Sequence, residues 1–203
     1  MEKTMTPSEP LSAGQISKVY DLLVAGLRKA GLPSEPSQVV IETQGGEFVE
    51  ECIAAFRKRV EAISSVMITR RVKVNRGLKP QEVLDATGRK QYTNGEVVAI
   101  MPKGEGDEAE VVFFKLDRWV SDADLEKEYA LRGLKPADPY SLAAVNQADP
   151  AFADEKPNGT HWQDADGKWC FAAFYRWFGG RFVVVFRIGG GWVDVWWVAG
   201  LRK

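Results

Sequence analysis

Histidine occurs once in this chain, at position 161, and cysteine twice, at 52 and 170. One imidazole is too few for a histidine-based metal site, and it leaves any base-driven nucleophile a single candidate partner. Cys52 and Cys170 lie far apart and have no CxxC neighbour, so by themselves they make neither a zinc site nor a disulfide framework. Both read as small buried apolar residues. Neither sign of charge is in excess: the formal net charge is -1, which excludes the strongly basic balance of a general nucleic-acid binder and the high net charge of a disordered chain. No apolar run reaches the length of a membrane span. The start, MEKTMTPSEPLSAG, lacks the charged-then-apolar order of a secretory signal, so a cytoplasmic protein is expected. Asn158-Gly159-Thr160 has the form of a glycosylation acceptor but reads more simply as a turn.

What is present is an ordinary globular balance of apolar and charged residues in a chain long enough to bury a real core. Ile16, Val19, Leu23 and Leu27 recur at helical spacing until Gly31-Leu32-Pro33 stops the pattern. A second helix carries Val49, Ile53, Phe56, Val60 and Ile63 on one face, opposite Arg57, Lys58, Arg59 and Glu61, with GLPSEPSQ as the connection. Two amphipathic helices bury too little to stand alone. Residues 1–66 therefore read as a helical module that packs on the rest of the chain or associates with copies of itself.

Residues 67–107 read as a short α/β connecting segment: a strand in TRRVKVNR, a short helix opened by Pro80, a turn at Asn94-Gly95 and a flexible PKGEGDE. Arg70, Arg71, Lys73 and Arg76 form a basic cluster. A solvated strand face is the reading favoured for it, because no stacking aromatic is interleaved; contact with phosphate, as in a nucleic-acid-associated accessory protein, is the alternative.

From residue 108 onward the order is strand (EAEVVFFKLDRWV), a helix opened by Ser121 and Asp124 at capping-box spacing and stopped by Gly133, a second helix after Asp138-Pro139, a polar loop, then several strands. Six of the seven tryptophans, at 162, 169, 177, 192, 196 and 197, fall in the last 42 residues. KWCFAAFYRWF, RFVVVFRI and WWVAGLRK read as strands separated by glycine-rich turns. His161, Asp164 and Asp166 lie in HWQDADGKW, where Asp and Gly are expected for backbone reasons.

This order, and the closing run RFVVVFRIGGGWVDVWWVAGLR, resemble the variable proteins of diversity-generating retroelements, whose C-type lectin-like domains end in tryptophan-rich segments. The fold class expected is α+β, a C-type lectin-like C-terminal domain over 108–203 with an N-terminal helical module. In that family, adenine-directed mutagenesis changes Asn codons in a variable region, here about 175–203, and the residues between them stay fixed. The resemblance makes Phe182, Val184, Phe186, Ile188, Gly190, Val193 and Val195 the candidate variable, ligand-binding positions, with Tyr175 and Phe178 as additional candidates. Arg187, Trp192, Asp194, Trp196, Trp197, Gly200 and Arg202 become scaffold, together with Val183 and Val185. Alternation supports the division physically, since successive strand residues point to opposite faces.

The function the resemblance implies is that of a non-enzymatic, receptor-type protein binding a ligand, itself a protein, through a hypervariable face. No cofactor or metal is expected, and the lack of an acidic calcium constellation leaves calcium-dependent sugar binding unimplied. Homo-oligomerisation through the N-terminal helices is expected. A formylglycine-generating-type relative is a further alternative, but an inactive one, because that copper chemistry needs paired cysteines and Cys170 stands alone.

Overall fold

The computed structural model describes residues 10–63, 67–187 and 190–203. The chain divides into two compact units, Met1–Arg59 and Val60–Lys203. The first is helical. Helix α1 spans Ala13–Ala30 and α2 spans Ser34–Ile63. Ser12 starts α1 with a reciprocal capping box to Gln15, and Gly31 at φ 59° ends it in the left-handed conformation that glycine adopts without a Cβ penalty. The expected connection GLPSEPSQ is shorter than its sequence suggests, because Ser34 onward is already helical. Pro36 fits there: the first turn has no intrahelical acceptors for its N–H groups, so proline's missing donor costs nothing. Among the described residues, none of the side chains of these two helices is buried.

The second unit is a mixed α+β fold built on one sheet. Its elements are β1 (Met67–Lys73), α3 (Pro80–Asp85), β2 (Lys90–Thr93), α4 (Gly95–Ala99), β3 (Glu108–Lys115), α5 (Asp122–Leu131), β4 (Leu134–Pro136), α6 (Pro139–Ala148), α7 (Phe152–Glu155), β5 (Asn158–Gln163), β6 (Trp169–Trp177), β7 (Gly180–Phe186) and β8 (Trp197–Arg202). The strands lie in the order β1-β3-β8-β5-β6-β7-β2, with β4 pairing the far end of β8. The β5–β8 and β7–β2 pairs are parallel and the others antiparallel. Residues 67–107, which read as a connecting segment, supply both outer strands. Asn94, read as a turn residue, caps α4 by accepting from the Glu96 and Val97 amides.

Caps set most helix starts in this unit. Ser121 Oγ accepts from the Asp124 amide at 3.1 Å and Asp138 Oδ1 from the Ser141 amide at 2.9 Å. Each satisfies a donor that the first turn leaves without a partner. Alternation along the strands then builds a core on each side of the sheet. Val111 and Phe113 of β3, Phe174 of β6, Val183 and Val185 of β7 and Ala199 of β8 face one side, under Leu84, Val97, Leu142, Val145 and Phe152. Val112, Phe114 and Val198 face the other, under Leu125 and Tyr129 of α5 and under Trp192. Tyr129 is fully buried, its hydroxyl donating to the Ala199 carbonyl, and burial pushes the phenol well above its ordinary range.

The basic cluster is split: Arg71 and Lys73 lie on the expected solvated face, while Arg70 and Arg76 turn inward. Arg70 is buried, its guanidinium over the Phe152 ring and 3.8 Å from Asp149. Arg76 reaches Asp138 at 2.8 Å and Ser141 at 3.0 Å. Arg71 is exposed and pairs with Glu110 across the β1–β3 ladder. Among the described residues, no helix is long and apolar enough to cross a membrane.

Candidate functional site

Helix α5 covers the second face of the sheet over β1, β3 and β8 and reaches β5 at His161. Over β6, β7 and β2 the cover is the loop that follows β7, and it is partial. Register fixes which side chains share this open face. Tyr175 stands beside Phe182, which stands beside Lys90; Ala173 stands beside Val184, which stands beside Tyr92; and Phe171 stands beside Phe186. In WCFAAFYRW the residues at 169, 171, 175 and 177 are all aromatic, while Cys170, Ala172 and Phe174 fill the opposite core. That two-residue period is the sequence signal that locates the face on β6, as alternation does on β7.

The rings touch in sequence. Tyr92 stacks on Phe182 at 5.6 Å between centroids, Phe182 on Tyr175 at 5.7 Å, and Tyr175 meets Trp196 edge to face at 6.2 Å. Trp196 then meets Trp192 at 5.8 Å, and Trp192 meets Phe171 at 6.1 Å. Offset-stacked and edge-to-face pairs of this kind contribute about 0.5–1.5 kcal/mol each beyond the area they bury. The result is a stiff aromatic platform.

The loop is fastened at both ends. Arg187 donates to Asp164 Oδ2 at 2.7 Å, while Asp164 Oδ1 accepts from the amides of Asp166 and Lys168. The Lys168 N–H first, then the guanidinium and the Asp166 N–H, hold the Asp164 carboxyl below its ordinary range against its burial. At the other end Trp192 and Val120 exchange backbone hydrogen bonds at 2.7 and 2.8 Å, and the Leu116 amide donates to the Trp196 carbonyl. Gly159 lies under Trp192 so closely that a Cβ would stand 2.6 Å from the indole. Only glycine fits there.

The inner corner of the face holds the one histidine. His161 is not in the turn but in β5, fully buried. Its Nδ1 lies 3.0 Å from Asp122 Oδ1, its Nε2 lies 2.9 Å from Glu126 Oε1, and its ring stacks on Trp169 at 4.6 Å. Asp122 Oδ1 also accepts from Trp192 Nε1 at 2.9 Å. Burial alone would raise the Asp122 carboxyl, but the hydrogen bonds from His161, Trp192 and the Gly190 backbone outweigh it and hold the group below its ordinary range. The cluster ties the start of α5, strand β5 and the loop together, with both imidazole nitrogens engaged. Beside it a cavity of about 170 Å³ is lined by Asp122, Phe171, Gly190, Gly191, Trp192 and Trp196.

The candidate variable residues do not share one environment. Val193 and Val195 are exposed, at 44% and 54%, and so is Gly190. Val184, Phe186 and Tyr175 are half-buried on the open face. Phe182 is buried, because Tyr92 and Tyr175 lie against its ring; a solvent-facing position was expected for it. Ile188 lies outside the described residues. Phe178 is 90% exposed at the tip of the β6–β7 hairpin, with φ 42°. Among the scaffold residues, Val183, Val185, Trp192 and Gly200 are buried and Arg187, Trp196 and Trp197 half-buried. Asp194 and Arg202 are exposed; Arg202 pairs with Glu110 at 3.2 Å. Cys170 is buried, and burial raises its thiol, whereas Cys52 is half-buried on α2 rather than buried as expected.

Among the described residues no cluster of His, Cys, Asp or Glu could hold a metal ion. No protein-family model, curated protein or solved structure matches the chain.

Proposed function

We propose that the open aromatic face of the sheet, with the loop that crosses it, is a binding surface for a protein ligand, and that the chain is a non-enzymatic, receptor-type protein of C-type lectin-like architecture whose face is diversified by adenine-directed mutagenesis. One observation carries this reading. Along β7, Val183 and Val185 are wholly inside one core while Val184 and Phe186 share the open face with Tyr92 and Tyr175. Alternate residues can therefore change without touching the core, which a variable surface on a fixed scaffold requires. Val193 and Val195 extend the surface outward, and Phe182 shapes it from beneath. The pairing of the early strand β3 with the last strand β8 supports the lectin-like reading.

The helical unit adds self-association. Val49, Ile53, Phe56 and Val60 repeat at alternating steps of four and three, the seam of a coiled coil, and each is exposed by 39% or more. Seams on several copies covering one another would bury them, and a multivalent assembly gains avidity without any new contact.

A library randomised at 184, 186, 193 and 195 tests the function. Most members should keep the parent's unfolding midpoint, and selection against unrelated protein targets should yield specific binders. A library that is mostly unfolded would end the proposal. A near-copy of the DNA for residues 175–203, differing at adenines and lying beside a reverse transcriptase gene, is the genomic counterpart.

A further inference from the structure

The cavity beside Asp122 is built unlike the rest of the face. Trp192 stands nearly perpendicular to two other rings, to Trp196 at 83° and to Phe171 at 84°. Rings set edge to face around one space form walls, not a stack. Its polar end is the Asp122 carboxylate, 9% exposed as a side chain and held ionised by its hydrogen bonds. Behind it the His161 ring bridges to a second carboxylate, Glu126. Among the described residues, no lysine or arginine lines the cavity. Aromatic walls attract a cation through the negative faces of their rings, and a buried anion adds a Coulomb attraction that low polarity strengthens.

We propose that this cavity is an aromatic cage for an alkylated ammonium group, either on a free small molecule or on a methylated lysine side chain of a protein ligand. The proposal rests on the binding-face reading only for the source of that lysine. Phe171, Trp192 and Trp196 wall the group and Asp122 balances its charge. An alkylated ammonium fits better than a plain one, because it surrenders little hydration on entering and its methyl groups fill apolar space. Gly190 in the lining is a candidate variable position, but the three rings and the carboxylate are not, so the walls and the charge are a constant anchor beside a changeable surface.

The test compares choline with its neutral carbon analogue, in which the quaternary nitrogen is replaced by carbon, using the full chain. Indole N–H resonances and tryptophan fluorescence read occupancy. Choline should bind at least about tenfold more tightly than the neutral analogue, with the largest shifts at Trp192 and Trp196. Equal binding of the two, or no shift at either indole, overturns the proposal. Asp122→Asn keeps the shape and should weaken choline about tenfold, and Trp196→Ala, at a half-buried site, should do the same. If both variants are folded and bind choline as the parent does, the cage is refuted. The library reads folding and target selection while the choline titration reads indole shifts in the parent chain, so that failure of the variable-face library and failure of the cage appear as separate results. A short peptide bearing trimethyl-lysine decides the source: tighter binding than choline assigns the cage to a protein side chain, and equal or weaker binding to a free small molecule.

Discussion

Replacing Val185 by Asn and, separately, its neighbour Val184 by Asn subjects adjacent residues of one strand to the same chemical change on opposite faces. Val185 is fully buried among Val97, Leu142 and Phe174 in the first core. Removing a wholly buried valine side chain forfeits about 1.5 kcal/mol of transfer free energy. The amide that replaces it meets no polar partner there, which costs about 1–3 kcal/mol more. The sum is roughly 3–4 kcal/mol. Val184 is half-buried on the open face, where an amide keeps contact with water, and the cost should stay below about 1 kcal/mol. Tryptophan fluorescence in a urea titration is the appropriate assay, because all seven tryptophans lie in the second unit and the helical unit contributes none. With a slope of about 2 kcal/mol per molar urea, the Val185 variant should lose roughly 1.5–2 M in midpoint and the Val184 variant less than about 0.5 M. Equal losses would mean that both faces of β7 are core, and the argument for a replaceable surface would collapse.

Three further outcomes are expected. Asp122 and Asp164 have carboxyls held below their unfolded values, so the stability they contribute is present above the unfolded pKa and is lost as pH falls through the folded one. Acid should therefore unfold the second unit below about pH 4, and Arg187→Ala, which strips the guanidinium from Asp164, should move that acid midpoint upward; an unmoved midpoint in a circular-dichroism titration would count against the pairing. Gly159→Ala should drive the Trp192 indole from its seat at a cost of about 1–3 kcal/mol, seen as a lost near-ultraviolet tryptophan signal, whereas an unchanged spectrum would show that the close contact yields freely. Ile53→Glu combined with Phe56→Glu should reduce the sedimentation mass if the exposed seam of α2 joins copies, and an unaltered mass would remove that interface.

Much of the architecture is local in origin, and so it can be read from short windows. Ser12, Ser121 and Asp138 announce helices because a cap needs only its own side chain and the next turn's amides. The alternation of Val183 to Phe186, and the heptad steps from Val49 to Val60, follow from strand and helix geometry whatever surrounds them. The division of β7 into a core set and an open set is therefore a property of the sequence. So is the aromatic period of Trp169, Phe171, Tyr175 and Trp177, once it is looked for.

Which residues meet across the sheet is a different matter. Lys90–Thr93 is four residues of ordinary character, and nothing in it says that it pairs in parallel with Phe182–Val185 and brings Tyr92 onto Phe182. That contact is what buries a phenylalanine whose spacing alone places it toward solvent. Arg76 looks like part of a basic surface until Asp138 and Ser141 are carried to it by the packing of α6. His161 sits in a polar, turn-like stretch, yet it is enclosed by Asp122 and Glu126 from α5, Trp169 from β6 and Trp192 from the loop. Periodicity is set by the backbone torsions of each residue, which its own sequence neighbours constrain. Burial, ion pairing and the shape of a cavity are set by side chains tens of residues apart, and these meet only when the sheet has fixed its order and register.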